Sequence, residues 1–303
     1  MPVTYSPLRY PGGKTSLSSF LSHVIRLNEL DGGIYAEPYA GGAGAGLSLL
    51  FSGFVDRLIL NDADMAIYSF WWSVLNRPDD LLRLIQDTPV TIEEWTRQKA
   101  IFRDSRHNCC LELGFSTLFL NRCNRSGILL ANPIGGLSQT GKWDISCRYN
   151  KVALAKKIIA IAERANKITA MHNDAIDFLR ILNNHRHMNM FVYLDPPYYS
   201  FGQGLYMNAY TDEDHSALAG FMQAQALFPW IMTYDDNAKI RAIYTGCHVT
   251  EFNLNYSAHR SRKGCELLIR PEEVIVPPLD VVTPYYGVAK TPQQPAQQNQ
   301  VPV

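Results

Sequence analysis

The sequence predicts an α/β fold: a mostly parallel sheet with helices on both faces. Three observations carry this. Short apolar runs alternate with helix-length segments along most of the chain. The run Phe191-Val192-Tyr193-Leu194 is continuously apolar, as a strand buried on both faces is. A glycine-rich turn joins the first strand to the next helix, the layout that brings a ligand close to backbone at a helix N-terminus.

Residues 16–29 read as a helix and 34–37 as the first strand. The turn Glu37-Pro38-Tyr39-Ala40-Gly41-Gly42-Ala43-Gly44 follows and opens a helix over 44–54. A second strand, 57–60, ends in Asn61-Asp62-Ala63-Asp64 before a helix at 65–76. After the insert described below, helices at 151–165, 174–184, 212–226 and 237–244 alternate with strands at 167–172, 190–194 and 229–234. Two final strands, 248–254 and 266–270, have a short link and are expected to pair antiparallel.

The alternation breaks over 78–150, which is helical and basic, then rich in Gly, Ser and Asn. Thr91-Ile92-Glu93-Glu94 is a capping-box start for one of its helices. The expected organisation is a discontinuous α/β domain, 1–77 and 151–280, interrupted by an insert, 78–150. The tail 281–303, Pro- and Gln-rich from Thr291 on, is expected to be disordered.

With 303 residues and 47% hydrophobic content, the chain has material for a full core. No run reaches transmembrane length, so no membrane partner is expected, and Met1 to Lys14 has no hydrophobic signal region. The expectation is a cytoplasmic protein. Six cysteines show no ligand spacing and read as reduced thiols, with Cys109-Cys110 a pair within a helix. No zinc constellation is visible, and no metal is expected.

Net charge is zero, but it is segregated. Residues 28–96 hold three basic and eleven acidic groups, a net of −8; residues 97–162 hold eleven basic and three acidic, a net of +8. The basic segment is the natural phosphate-facing part. For Arg97, Lys99, Arg103 and Arg106 a solvated helix face is an equal reading.

The densest chemistry follows strand 190–194, in Asp195-Pro196-Pro197-Tyr198. Two prolines forbid further sheet or entry into helix, leaving a stiff loop at a strand's carboxyl end, where open α/β sheets bind ligands. Asp195 and the Pro196 carbonyl can each accept one N–H of an exocyclic amine, and Tyr198 can stack on the ring. Asp62 lies about 20 residues past the glycines, the spacing of an acid that binds ribose hydroxyls. Asp64 reads better as the N-cap of the following helix.

Taken in order, Pro11-Gly12-Gly13-Lys14, Glu37 to Gly44, Asn61-Asp62-Ala63-Asp64, the insert and Asp195 to Tyr198 resemble the Dam-like class of S-adenosylmethionine-dependent DNA adenine N6-methyltransferases. The resemblance runs from about Ser6 to Arg270. It implies a Rossmann-like methyltransferase sheet, S-adenosylmethionine as cofactor and double-stranded DNA as substrate. It further implies cofactor contacts from Tyr10, Lys14 (toward the methionine carboxylate), Glu37, Pro38, Tyr39, Gly41, Gly42, Gly44, Asp62 and Asp174. Asp174 reads equally as a helix N-cap, and Glu37 equally as a structural acid under the glycine loop.

For DNA the candidates are Arg122, Arg125, Ser126, Lys142, Tyr199, Arg260, Arg262 and Lys263. Arg122 reads also as a loop anchor bonded to carbonyls. After Gly127 the sequence departs from Dam: Ile128-Leu129-Leu130 stands where Dam carries an arginine for guanine readout, so a GATC target is not implied. The glycine- and aromatic-rich stretch 198–206 reads as a flap over a flipped base.

The expected activity is methyl transfer to the N6 amine of an adenine flipped out of duplex DNA, in modification, host defence or a phage. The alternatives are cytosine N4 as the acceptor, or a silent DNA-binding regulator with this fold. The chain has no Pro-Cys dipeptide for a cytosine C5 route. A monomer is expected, and a cognate nuclease encoded elsewhere is compatible with the resemblance.

Overall fold

A computed structural model describes residues 4–9, 14–199, 210–254 and 264–278. Among these, seven strands form one sheet: β1 (Ile34–Glu37), β2 (Arg57–Asn61), β3 (Ile168–Met171), β4 (Met190–Leu194), β5 (Trp230–Asp235), β6 (His248–Leu254) and β7 (Gly264–Arg270). Their order is β3-β2-β1-β4-β5-β7-β6. β1, β2, β3, β4 and β5 are parallel, and β7 lies antiparallel between β5 and β6. The expected mostly parallel sheet with an antiparallel final pair is the fold observed.

The strand period of two explains the layers. Tyr35, Phe191 and Tyr193 belong to one apolar cluster, with α1 (Ser18–Leu27), α2 (Gly44–Phe51) and α3 (Met65–Asn76). Ile34, Ala36, Met190, Val192 and Leu194 belong to the other, with α8 (Ala175–Asn183), α9 (Asp212–Ala224) and α10 (Ala238–Ile243). Every residue of β1, β4 and β5 is buried, as a sheet covered on both faces requires. The helices between α3 and α8 are α4 (Pro78–Asp87), α5 (Ile92–Asp104), α6 (Leu111–Cys123) and α7 (Lys151–Ala162). They extend the first cluster through Trp95, Phe102, Phe115 and Phe119.

Element ends differ from the sequence expectation for local reasons. Residues 16–29 split into a 3-10 turn, Lys14–Leu17, and α1. α2 stops at Phe51 rather than 54, because Gly53 turns left-handed (φ 72°). Cys109 and Cys110 lie before α6, not inside a helix; the Cys110 sulfur caps it, accepting from Leu113 N at 3.4 Å. The expected tail 281–303 lies outside the described residues. No helix among the described residues is long and apolar enough to cross a membrane.

The chain runs from β1 outward to β2 and β3, then crosses back to β4 on the other side of β1. β1 and β4 are therefore neighbours at a switch point, with Ala36 opposite Val192. The loops leaving their carboxyl ends lie side by side, the position where open α/β sheets bind ligands.

Candidate active site

The first wall is the loop after β1. It turns through left-handed Gly41 (φ 45°) and Ala43 (φ 47°). Glycine adopts that region without a Cβ penalty; Ala43 is held there by its N–H, which donates to Ala40 O at 2.6 Å. Asp62 braces the loop: Oδ2 accepts from Gly41 N at 2.9 Å and Oδ1 from Asp64 N at 2.9 Å. Trp71 Nε1 donates to Gly41 O at 2.9 Å. Buried Asn61 ties three strand ends together, donating to Pro38 O and Asn173 O and accepting from Asn173 N. The loop is thus fixed in the shape a ligand would meet.

Acids line this wall, with Glu37 buried, Asp62 and Asp64 half-buried and Asp174 exposed. Glu37 Oε1 accepts from Gly46 N at 3.0 Å, and burial pushes its carboxyl up to about 8. Burial, with the neighbouring charge of Asp64, pushes Asp62 up to about 7. Asp64 and Asp174 cap α3 and α8, accepting from Ala66 N at 2.9 Å and Ile176 N at 2.8 Å. Asp174 caps a helix and also borders the cavity.

The second wall is Asp195 to Tyr199. Asp195 Oδ1 accepts from Thr233 Oγ1 at 3.0 Å. Burial raises its carboxyl to about 6, against the opposing pull of Lys14. Lys14 Nζ lies 3.4 Å from Asp195 Oδ1, but only 3.1 and 3.0 Å from the two oxygens of Glu266. It also donates to the Tyr198 hydroxyl at 2.5 Å, and that hydroxyl donates to Glu266 Oε1 at 2.6 Å. Lys14 lines the cavity as well. Its buried ammonium is turned to Asp195 after β4 and Glu266 of β7, because a charge out of water needs counter-charges. Tyr199 N donates to Asp235 Oδ1 at 2.8 Å, which fixes the loop's far end.

Between the walls lies a cavity of about 760 Å³. Lys14, Glu37, Pro38, Tyr39, Gly41 and Gly42 border it, as do Gly44, Asp62, Asp174, Asp195 and Arg122. Pro197 borders it where the sequence singled out Pro196, which is buried. Arg122 donates to Arg148 O at 2.7 Å, the anchoring role read for it as an alternative. Arg125 and Ser126 are exposed, as is Lys142, whose ammonium sits 5.6 Å from the Trp143 ring centre. Tyr199 donates to Asp212 Oδ1 at 2.6 Å. Tyr10, Arg260, Arg262, Lys263 and the stretch 200–206 lie outside the described residues. On α5, Arg97 pairs with Glu94 and Arg103 with Asp104, and Lys99 lies over Trp95. These contacts are those of a solvated helix face.

The sequence reading missed the frame of the insert. Asn121 accepts from Arg9 N at 2.7 Å and donates to Arg9 O and Gly127 O, both at 2.9 Å. Asn124 donates to Ile128 O and Leu129 O and accepts from Trp95 Nε1. Gly127 is left-handed (φ 78°), and a Cβ there would fall 2.2 Å from Arg9 O. These buried groups hold Arg125 and Ser126 as an exposed tip. Glu266 was missed too, although an acid heading the apolar run Leu267-Leu268-Ile269 was a visible signal.

Among the described residues no His, Cys, Asp and Glu group is placed to hold a metal. A search of curated proteins finds no match to the chain. The family model for the D12 class N6 adenine-specific DNA methyltransferase matches residues 10–259, a span that includes both walls of the cavity and the insert. That family is specific for adenine, and neither the cytosine N4 nor the silent alternative has support. Sheet order, cavity and sequence match converge, and the chain belongs to the D12 class N6 adenine-specific DNA methyltransferase family.

Proposed function

We propose that the protein transfers the methyl group of S-adenosylmethionine to the N6 amine of an adenine flipped from duplex DNA. One observation carries the reading: a single cavity at the β1/β4 switch point joins the glycine loop to Asp195. The lining suits this cofactor. The glycine loop leaves room for close backbone approach, and Glu37, Asp62 and Asp174 offer acceptors to ribose hydroxyls, an amine and a cationic centre. Each Asp62 oxygen already accepts one backbone N–H and keeps a second lone pair. Glu37, largely protonated at neutral pH, would ionise beside a cation, so binding there releases a proton.

Bound S-adenosylmethionine supplies a methyl group on a sulfonium. The chain's residues position the acceptor. Asp195 takes one N6–H and the Pro196 carbonyl the other, which favours a pyramidal nitrogen with a directed lone pair. Tyr198 stacks on the ring. Most of the rate then comes from orientation and from charge arranged in advance. Residues 1–77 and 151–280 serve as the catalytic domain and 78–150 as the recognition insert. Arg125, Ser126 and Lys142, on its exposed face, contact DNA, with Tyr199, Arg260, Arg262 and Lys263 beside the flipped base. We infer a cytosolic monomer.

Methyl-labelled S-adenosylmethionine incubated with unmethylated duplex DNA, single-stranded DNA and RNA tests the reading. Label in duplex DNA is expected, with 2-aminopurine at the target brightening on binding as the base leaves the stack. Label confined to RNA, or none despite cofactor binding, overturns it.

A further inference from the structure

We propose that Glu266 is a positioning residue for methyl transfer, holding the Lys14 ammonium and the Tyr198 hydroxyl so that the Asp195 carboxylate is left to meet the exocyclic nitrogen. The inference rests on the role of Asp195 given above. Glu266 is buried (3% exposed) within β7, opposite Asp235 of β5. Its carboxylate accepts from Lys14 at 3.0 and 3.1 Å and from Tyr198 at 2.6 Å. Lys14 lies farther from Asp195, at 3.4 Å.

The charges explain why this arrangement matters. With both acids ionised, Lys14, Asp195 and Glu266 together carry one net negative charge. A lone Lys14–Asp195 pair would carry none, and the ammonium would occupy the oxygen meant for the amine. During transfer the N6 lone pair forms the new C–N bond, and the C–S electron pair stays on sulfur. The nitrogen becomes cationic and then sheds one proton to water. A fixed net negative charge beside it favours that change. Tyr198, hydrogen-bonded to both partners, is held in one orientation by the same carboxylate.

The groups that bear on Asp195 are Lys14 before α1, Tyr35 and Glu37 on β1, Tyr193 on β4, Thr233 and Tyr234 on β5, and Glu266 on β7. Glu266 raises the Asp195 carboxyl and Lys14 lowers it. Removing the Glu266 charge therefore moves the acid limb of activity to lower pH while slowing the reaction. A residue that only held the fold together would not produce that pairing.

The test compares wild type, Glu266→Gln and Glu266→Asp in kcat, KM for S-adenosylmethionine, and the pH profile of kcat/KM. For Glu266→Gln we expect kcat to fall on the order of 100-fold, the size of losing one preorganised electrostatic group. KM for the cofactor stays within about threefold, the acid limb moves down, and Glu266→Asp recovers part of kcat. Wild-type kcat and an unmoved limb in Glu266→Gln overturn the proposal, as does a rise in KM alone. Should Glu266→Gln fail to fold by circular dichroism, Glu266→Asp decides: reduced kcat at unchanged KM supports the proposal, and unchanged kcat overturns it. An inactive wild type is a separate result, against the methyltransferase reading itself.

Discussion

Lowering the pH should switch the enzyme off through Asp195 before the fold suffers from that group. Burial, partly opposed by Lys14 and Thr233, lifts the Asp195 carboxyl from 3.8 to about 6. The lift of roughly two pH units corresponds to about 3 kcal/mol favouring the neutral form. The carboxylate draws the N6–H far more strongly than the neutral carboxyl, which carries a donor proton of its own. Roughly nine-tenths of the enzyme is competent at pH 7 and about one-tenth at pH 5, so kcat/KM should fall about tenfold between them. Stability responds with the opposite sign. The folded carboxyl binds its proton more tightly than the unfolded one, so this group's contribution decreases as pH rises through about 4 to 6. The assay is kcat/KM for duplex DNA at saturating S-adenosylmethionine from pH 5 to 8, with a melting curve at each pH. A profile flat across that range, or an acid limb near 4, refutes the reasoning.

Three further outcomes follow from the same geometry. Glu37, pushed up to about 8 by burial, should make the wild type lose stability as pH rises from about 6 to 8. Glu37→Gln keeps an oxygen for Gly46 N and should flatten that slope in thermal melts. Asn121→Ala leaves half-buried Arg9 and buried Gly127 backbone groups without partners and should cost about 2–4 kcal/mol in denaturant titrations. The same variant should lose duplex affinity while S-adenosylmethionine affinity stays near wild type. Arg125→Ala, on an exposed tip, should weaken duplex binding and reduce the slope of log affinity against log salt by about 1 if it neutralises a phosphate.

What the sequence revealed was what local chemistry can encode. The apolar run into Asp195-Pro196-Pro197 marks a buried strand ending in a stiff loop, and the structure has β4 end at Leu194. Asp64 as an N-cap was legible because its partner is two residues away. Glu266 was not, because it meets Lys14 across 252 positions and only the placement of β7 beside β5 brings them together. Asn121 is similar: its partner Arg9 lies 112 positions away, so nothing local marked it as an anchor of the loop that follows. Lys14 has a partner that its own motif does not name: buried Glu266, which no nearby spacing reveals, is bonded to its ammonium.

The central claim is that Asp195 directs methyl transfer to adenine N6. Its most direct test digests DNA treated with wild type or Asp195→Ala to nucleosides and identifies the methylated product by mass. The account predicts N6-methyladenine from wild type and at least a 100-fold loss in the variant, on the scale of removing one essential electrostatic contact. N4-methylcytosine from the wild type, or undiminished N6-methyladenine from Asp195→Ala, would contradict it.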